Sequence, residues 1–338
     1  MPLNFQLHYV PHFKNGMKDT VLEVRDLRTY FYTRWGVVKA VDGVDFQLKK
    51  GETLGLVGES GCGKTITSLS LLRLVPKPAG KIVDGEILLE GENLLSKSEE
   101  EMRKVRGKRI SMILQDPMSS LNPVFTIGYQ IKEAIKIHQR LKGRPLWQKA
   151  CDMLEQVKIG SPEVRLKAFP HQMSGGMRQR AVGAISLACE PTVLIADEPT
   201  TSLDVTVQAQ YLKLLKELQK KTDFSIIFIT HDLGIVAQMC DRVCVMYAGR
   251  IIESASVLDL FNQPAHPYTY ALISSVPAVD KEVERLFSIE GLPPALHHLP
   301  SGCAFKPRCG KFNHKCENQF PPEVEVGPDH RVRCWQVA

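Results

Sequence analysis

A glycine-rich octapeptide that ends in a lysine and a threonine is the clearest chemical signal in this 338-residue sequence. It fits the phosphate-binding loop pattern G-x-x-x-x-G-K-[ST] at every position. Glycines let successive backbone N–H groups point at phosphate oxygens, and a helix that starts there adds partial positive charge. We expect Lys64 to meet the outer phosphates and Thr65 to ligate Mg²⁺. The predicted nucleotide-binding residues are Gly58, Glu59, Ser60, Gly61, Cys62, Gly63, Lys64 and Thr65.

Two adjacent carboxylates, Asp197 and Glu198, follow a short apolar run at residues 192–196. Such a run predicts a buried strand that delivers both side chains to its carboxyl end. One carboxylate can hold Mg²⁺, and the other can polarise an attacking water. This pair is a weak signal alone, but a phosphate loop in the same chain makes it a strong one.

A second glycine pair follows a serine at Ser174-Gly175-Gly176, where a helix is expected to begin. The free N–H groups of the two glycines and the serine hydroxyl could bind another anion. An ordinary capped helix would also begin with a serine followed by small residues. The residues alone leave both interpretations open.

The elements expected to position these residues alternate between strands and helices. A small antiparallel β layer precedes the phosphate loop, and the strand–loop–helix context of the octapeptide favours nucleotide binding over a plain glycine turn. The alternation that follows predicts an α/β fold with a mostly parallel sheet at its core. The strands expected in that core are residues 52–57, 110–114, 192–196, 224–229 and 242–246.

Texture changes along the chain suggest three regions. Residues 1–19 are expected to be a loosely held lead-in, and residues 20–264 a nucleotide-binding domain. Within that domain, residues 127–188 show no strand pattern and are interpreted as an all-helical insertion. Recurring prolines predict that residues 265–338 form an irregular C-terminal extension.

Composition narrows the class of protein. No uncharged apolar run approaches the roughly 20 residues of a membrane-spanning helix, and the N-terminus lacks a secretion-signal pattern. We therefore expect a soluble chain on the cytosolic side. The net charge of +6, from 43 Lys and Arg against 37 Asp and Glu, permits contact with an anionic surface but argues for none.

The order of the motifs resembles that of the nucleotide-binding subunits of ATP-binding-cassette (ABC) transporters, over about residues 21–264. The matching motifs are the phosphate loop, Gln115 at a strand end, the Ser174-Gly175-Gly176 signature, the Asp197-Glu198 pair, Ser202-Leu203-Asp204 and His231 after a buried strand. The resemblance implies that two such domains face head to tail. Each ATP would then lie between the phosphate loop of one domain and the signature and Asp204 of the other.

The resemblance also implies the chemistry. Glu198 would act as general base, while His231 and Lys64 would hold the phosphate that is transferred. Gln115 would sense that phosphate and relay closure to the helical insertion, which would dock on a membrane partner. The implied Mg²⁺ ligands are Thr65, Gln115 and Asp197. One aromatic residue of the segment 30–35, assigned here as Phe31, is expected to stack on adenine, although these rings could simply cover the β layer.

The C-terminal extension narrows the resemblance. The run His266-Pro267-Tyr268-Thr269 is similar to the extension of oligopeptide and dipeptide transporter ATPases. Four of the nine cysteines lie in the last 36 residues of the chain, without the C-x-x-C spacing usual for structural zinc. Together with the resemblance, four thiolates favour a four-iron, four-sulfur (4Fe-4S) cluster, with zinc or free thiols as alternatives. The ligands would be Cys303, Cys309, Cys316 and Cys334.

The resemblance, together with these motifs, predicts an ATPase that energises peptide import through a membrane transporter. Its expected partners are a second ATPase of the same or another kind, two transmembrane permease subunits and an extracytoplasmic peptide-binding protein, with no nucleic acid. The chain would lie peripherally on the cytoplasmic face of the membrane. The alternative is a soluble ABC-type ATPase that acts on nucleic acid or ribosomes, but such proteins typically carry two cassettes or long coiled coils, which this sequence lacks.

Overall fold

A computed structural model describes residues 20–116, 120–276 and 287–338. The predicted lead-in of residues 1–19 lies outside the described residues. The chain divides into two compact units. Unit 1 comprises the residues up to Leu48, Thr53–Leu95 and Ile229–Ala338, and unit 2 comprises Lys49–Glu52 and Ser96–Phe228.

The strands are numbered along the chain as β1 (Thr20–Thr33), β2 (Gly36–Lys49), β3 (Thr53–Val57), β4 (Gly80–Leu89), β5 (Glu92–Asn93), β6 (Ile110–Ile113), β7 (Val193–Asp197), β8 (Ser225–Ile229), β9 (Arg242–Tyr247), β10 (Arg250–Ser256), β11 (Val324–Gly327) and β12 (His330–Val332). The helices are α1 (Lys64–Leu71), α2 (Glu99–Val105), α3 (Ile127–Gln139), α4 (Gly143–Gln156), α5 (Pro162–Arg165), α6 (Gly175–Leu187), α7 (Val205–Thr222), α8 (Leu233–Met239), α9 (Val257–Asn262), α10 (Pro267–Ser274) and α11 (Lys315–Asn318). Single turns of 3₁₀ helix lie at Leu94–Ser96, Pro170–Gln172 and Lys306–Arg308.

Unit 1 begins with an antiparallel sheet in the strand order β2-β1-β4-β5. Leu22 of β1 pairs with Leu89 of β4, and both side chains are fully buried. Apolar residues on one face of β1 therefore anchor the sheet against the core of the unit, as alternating strand patterns do. This is the small antiparallel layer expected before the phosphate loop.

The second layer of unit 1 has the strand order β11-β12-β10-β9-β3. Strand β3 runs parallel to β9, so that the strand entering the phosphate loop has a buried neighbour. Strands β9 and β10 are antiparallel because the two-residue turn Ala248-Gly249, with positive φ at both residues, joins them directly. The expectation of a mostly parallel sheet is therefore wrong for this side, and the fold has mixed strand directions.

Unit 2 contains parallel β6 and β7, with β8 beside β7. Residues 127–187 form α3 to α6 and their turns, and a face of each long helix is apolar and buried, including Ile131, Leu154 and Ala184. The three strands end near Gln115, Glu198 and Thr230, so that polar residues follow each strand at its carboxyl end. Among the residues that the structure describes, no helix combines the length and apolarity needed to cross a lipid bilayer.

Candidate functional site

The phosphate loop lies between β3 and α1, as its sequence predicts. At two glycines of the loop, other backbone segments of the same chain lie so close that no side chain would fit. A Cβ atom at Gly58 would lie 2.2 Å from the Met246 carbonyl oxygen, and one at Gly63 would lie 2.2 Å from the Ala40 carbonyl oxygen. Gly63 also has φ of +112°, which favours glycine. The loop shape is therefore fixed by close backbone packing.

Lys64 points back into this loop. Its side chain is buried, and its Nζ donates hydrogen bonds to the carbonyl oxygens of Gly58 at 2.7 Å and Glu59 at 3.1 Å. Gly63, the residue before α1, has no side chain with which to cap the helix, so backbone N–H groups at its start remain for another acceptor. Of the other loop residues, Ser60, Gly61 and Thr65 are exposed, Glu59 is half-buried and Cys62 is buried. The loop thus offers an ammonium group and helix N–H groups, the donors that an anion needs.

Unit 2 brings together two of the predicted site residues, Gln115 and Glu198. The Gln115 amide nitrogen donates to Glu198 Oε2 at 3.1 Å, and the Thr201 hydroxyl donates to the same oxygen at 3.0 Å. Glu198 has φ of +44°, an uncommon conformation for a residue other than glycine, so these contacts hold its carboxylate at an unusual turn. Asp197, the last residue of β7, is buried.

Sequence reasoning missed the contact made by Thr201. The signal was present, because Thr201 follows Glu198 by three residues in a turn and can reach back to it. The same hydroxyl also donates to the Glu198 carbonyl oxygen at 3.3 Å. Thr201 is therefore both a turn residue and a second donor to the carboxylate.

The predicted signature forms the start of α6. Ser174 is the N-cap, and its hydroxyl accepts a hydrogen bond from the Met177 N–H at 3.3 Å. Gly175 and Gly176 occupy the first two helical positions, where backbone N–H groups have no partner within the helix. The capped-helix interpretation of this serine is thus realised, and the N–H groups needed by the anion-site interpretation remain at the same place.

The remaining predicted residues lie in several settings. Asp204 is the N-cap of α7 and accepts from the Val207 N–H at 3.0 Å. His231 is exposed and lies between β8 and α8. Phe31 is half-buried near the end of β1, where its ring packs against Gly80, and its stacking on adenine stays a prediction.

The predicted iron–sulfur cluster is wrong. Throughout residues 20–116, 120–276 and 287–338, no group of three or more His, Cys, Asp or Glu side chains is placed to hold a metal ion. Cys303, Cys309, Cys316 and Cys334 are free thiols, which was one of the alternatives left open by their spacing. Burial raises the pKa of Cys303 to about 11 and also raises the pKa values of Cys309 and Cys334. Burial therefore disfavours the thiolate form that a metal ligand requires.

Other contacts hold the C-terminal extension in place. The buried Glu253 carboxylate accepts hydrogen bonds from the backbone N–H groups of Ala265 and His266, at 2.7 and 2.8 Å. The same carboxylate lies 2.8 Å from Nε2 of buried His330 on β12. The Phe305 ring packs on Tyr247 and Tyr268, with ring centroids 5.3 Å apart in both pairs. In its described residues, the C-terminal extension is thus held by strand pairing, a buried carboxylate and aromatic packing, and not by a metal cluster.

Comparison with known proteins identifies the family. Residues 41–201 match the family model for the ABC transporter, and residues 252–316 match the model for the oligopeptide/dipeptide transporter C-terminal region. The probable peptide ABC transporter ATP-binding protein y4tR of Sinorhizobium fredii is 53% identical over 95% of this chain and 96% of its own length. The oligopeptide transport ATP-binding protein AppD of Bacillus subtilis is 50% identical over 94% of this chain and 96% of its own length.

The fold is also similar to that of a solved structure. CbiO1 of Clostridium perfringens, part of the ABC transporter complex cbiONQ, aligns with a TM-score of 0.61 at 27% identity, over 72% of this chain and 92% of that chain. These comparisons confirm the predicted α/β ABC ATPase fold and the prediction of a transport ATPase, and they do not favour a soluble ATPase that acts on nucleic acid or ribosomes. This chain belongs to the family of ABC transporter ATP-binding proteins, in its oligopeptide and dipeptide group.

Proposed function

We propose that this chain hydrolyses ATP to energise the import of peptides through a membrane transporter. The observation that carries the proposal is the phosphate loop, with Lys64 buried at its centre and close backbone packing at Gly58 and Gly63. The peptide cargo is supported by the similarity to peptide-transport ATP-binding proteins, which extends through the C-terminal extension.

In this proposal the phosphate loop binds the polyphosphate chain of ATP. Lys64 exchanges its bonds to the loop carbonyl groups for phosphate oxygens, and the N–H groups at the start of α1 add further donors. His231, exposed after β8, donates to the terminal phosphate. These groups stabilise the charge that spreads over the phosphate oxygens as the bond to the leaving group breaks.

Glu198 is the proposed general base. Its carboxylate oxygen Oε2 accepts two hydrogen bonds, from Gln115 and Thr201, which orient the carboxylate for the attacking water. Glu198 takes a proton from that water as the water attacks the terminal phosphorus. Gln115 is thereby able to couple the position of this base to the segment that follows β6.

The donor set fits Mg²⁺, because this ion prefers oxygen ligands such as hydroxyl, amide and carboxylate groups. The Gln115 amide uses its nitrogen toward Glu198, so its oxygen is the atom suited to the ion. The proposed ligands are Thr65, Gln115 and Asp197. Mg²⁺ supplies charge neutralisation of the phosphate oxygens when it is bound.

We propose that the signature acts on ATP held by a second cassette. Phosphate would be contacted by the N–H groups of Gly175 and Gly176 and by the Ser174 hydroxyl. Asp204, which follows the signature in the family's order of motifs, would belong to the same site. The adenine would stack on Phe31. The second cassette is either another copy of this chain or a similar ATPase.

The similarity to peptide-transport ATP-binding proteins supports a proposal for the larger assembly. The nucleotide-binding domain would span residues 20–264, with the helical insertion at about 127–188 docking on one of two transmembrane permease subunits. Residues 265–338 would form the C-terminal extension, whose strands β11 and β12 belong to the second layer of unit 1. An extracytoplasmic binding protein would deliver the peptide, and the chain would lie peripherally on the cytoplasmic face of the membrane.

The substitution Glu198→Gln tests the assignment of the base. We expect ATP to bind with unchanged affinity while steady-state turnover falls by at least about 100-fold, because the carboxylate that accepts the proton is lost. The matched control is Glu217→Gln, an exposed glutamate of α7 paired with Lys158, which should leave turnover unchanged. Undiminished turnover in Glu198→Gln would refute the assignment.

A further inference from the structure

One residue of the phosphate loop, Glu59, is held by residues far along the chain. Its backbone N–H donates to the hydroxyl of Tyr268 at 2.9 Å. Its carboxylate forms a two-point ion pair with Arg308, with Nη1–Oε2 and Nη2–Oε1 distances of 2.6 and 2.9 Å. Both partners belong to the C-terminal extension, and all three residues belong to unit 1.

Arg308 is built into its place. Its side chain is only 4% exposed, and Glu59 is 25% exposed. The guanidinium also donates from Nε to the Glu290 carbonyl oxygen at 3.0 Å and lies 3.4 Å from the Tyr247 hydroxyl. Its hydrogen bonds to Glu59 raise the pKa of Arg308 further above its ordinary value. A planar, bidentate pair of this kind is geometrically specific and stronger than an exposed surface pair.

The same residue connects this ion pair to the phosphate-binding lysine. Lys64 Nζ donates to the Glu59 carbonyl oxygen, while the Glu59 carboxylate lies on Arg308. Glu59 is therefore held at its N–H, its carbonyl oxygen and its carboxylate. Any movement of Glu59 shifts the carbonyl group against which the Lys64 ammonium rests.

Charge gives the pair a second effect. A carboxylate on a loop that binds phosphates would repel its anionic ligand if it were left without a partner. Arg308 neutralises that carboxylate and keeps it turned onto the C-terminal extension. The loop thus keeps an acidic residue without losing its preference for anions.

We propose that Arg308 is a positioning residue for ATP, which acts through Glu59 to hold the phosphate loop in its binding shape. The C-terminal extension thereby sets the affinity of the chain for nucleotide. This inference rests on the proposed function, because it assumes that the phosphate loop binds ATP. Arg308 itself does not touch the nucleotide.

The test measures ATP affinity by titration calorimetry and the kinetics of hydrolysis in Arg308→Gln. We expect the dissociation constant and KM for ATP to rise about tenfold, since one charged hydrogen-bonded contact is lost, while kcat at saturating ATP stays within about twofold. In Arg308→Lys the dissociation constant and KM for ATP should rise only about threefold, because lysine keeps the charge but not the two-point geometry. A purely structural role would instead lower the melting temperature and leave the affinity of the folded protein unchanged.

A control and a double mutant separate the routes by which Arg308 could act. Arg331→Gln removes an exposed arginine of the same extension that pairs with Glu323, and it should leave ATP affinity unchanged. In a Glu59→Gln background, Arg308→Gln should change the affinity by less than about twofold, because the contact through which it acts is already weakened. An equal loss in both backgrounds would overturn the proposed route through Glu59.

The remaining outcomes are also decisive. Unchanged affinity in folded Arg308→Gln, beside normal ATP binding by the unaltered chain, overturns this inference alone. Failure of the unaltered chain to bind ATP overturns the proposed function as well. If Arg308→Gln does not fold, the Arg308→Lys and Glu59→Gln variants carry the same comparison, and unchanged affinity in both would overturn the inference.

Discussion

The helices that follow the phosphate loop and the signature begin in different ways. Before α1, Gly63 has φ of +112° and no side chain, and its Cα faces the Ala40 carbonyl oxygen too closely for a Cβ. Before α6, Ser174 has an ordinary extended backbone, and its hydroxyl caps the helix. At Gly175, a Cβ would meet nothing within 4 Å among the described residues.

The two glycines differ in what their surroundings allow. Gly63 is required by the fold of the chain itself, because only glycine fits its conformation and its neighbours. Gly175 is not required by the described contacts within the chain, because a Cβ there would have open space around it. That contrast supports the proposal that the phosphate loop binds ATP within this chain and that the signature serves a second cassette.

The largest expected effect is a contrast between two alanine substitutions. Gly63→Ala should lower the free energy of unfolding by about 4 kcal/mol and abolish ATP binding, because the Cβ would be strained and would clash with backbone. Gly175→Ala should change the free energy of unfolding by less than about 0.5 kcal/mol. Urea unfolding followed by circular dichroism measures the free energy of unfolding of both variants. Equal losses would contradict the different roles given to Gly63 and Gly175.

The start of a third helix, α10, differs from the other two because its cap makes the free energy of unfolding depend on pH. The buried His266 ring caps this helix by accepting the Tyr268 N–H at 3.0 Å. Burial lowers the pKa of His266 to about 4, against the opposing effect of the Glu253 carboxylate. The unfolded chain therefore binds more protons between pH 6.5 and 4, and the stability present above pH 6.5 falls by about 3 kcal/mol on acidification to pH 4.

The variant His266→Asn isolates this contribution. Asparagine is a good N-cap that does not titrate in this range. The fall in unfolding free energy between pH 7 and pH 4, measured by urea titration, should be smaller in the variant than in the unaltered chain. The same pH dependence in both would mean that His266 is not protonated more readily on unfolding.

Substitutions at the starts of α1 and α6 should differ in their effect on ATP affinity. Lys64→Ala should weaken ATP binding about thirtyfold, close to 2 kcal/mol, because the ammonium group is lost from the loop. At the signature, Arg178 Nε likewise donates to a preceding carbonyl group, that of Met173, at 2.9 Å. Arg178→Ala should leave ATP affinity of the isolated chain unchanged in the same fluorescence titration, and an equal loss would contradict the assignment of the two starts.

The smallest expected effect is at the cap of α6. Ser174→Ala should lower the free energy of unfolding by about 1 kcal/mol, the usual loss for an N-cap serine. It should lower steady-state hydrolysis while leaving ATP affinity of the isolated chain unchanged. Weaker ATP binding by the isolated chain would place Ser174 in its own nucleotide site and contradict the proposal.

Local patterns predicted much of this molecule because they constrain neighbouring residues. The octapeptide required a strand before it and a helix after it, and β3 and α1 occupy those positions. Strand β12 has only three residues, too few for a recognisable alternation, and so the antiparallel edge of unit 1 was missed. The turn at Ala248-Gly249 makes β9 and β10 antiparallel, and it is a local signal for this part of the sheet.

Contacts between distant residues could not be predicted. The Gln115–Glu198 hydrogen bond joins residues 83 positions apart, and the Arg308–Glu59 pair joins residues 249 positions apart. The cysteine spacing misled for the same reason, because a count of thiols says nothing about where their sulfur atoms lie or how burial affects their ionisation. Motifs thus predicted the strand, loop and helix around the octapeptide, while the distant residues that hold the loop in place are visible only in the fold.

Energised peptide import is measured most directly as peptide uptake by proteoliposomes that contain this chain and the membrane proteins purified with it. We expect ATP-dependent uptake of labelled peptide with the unaltered chain and none with Glu198→Gln, although that variant still binds ATP. Uptake that persists in Glu198→Gln, or co-purification with ribosomes and no membrane protein, would contradict it.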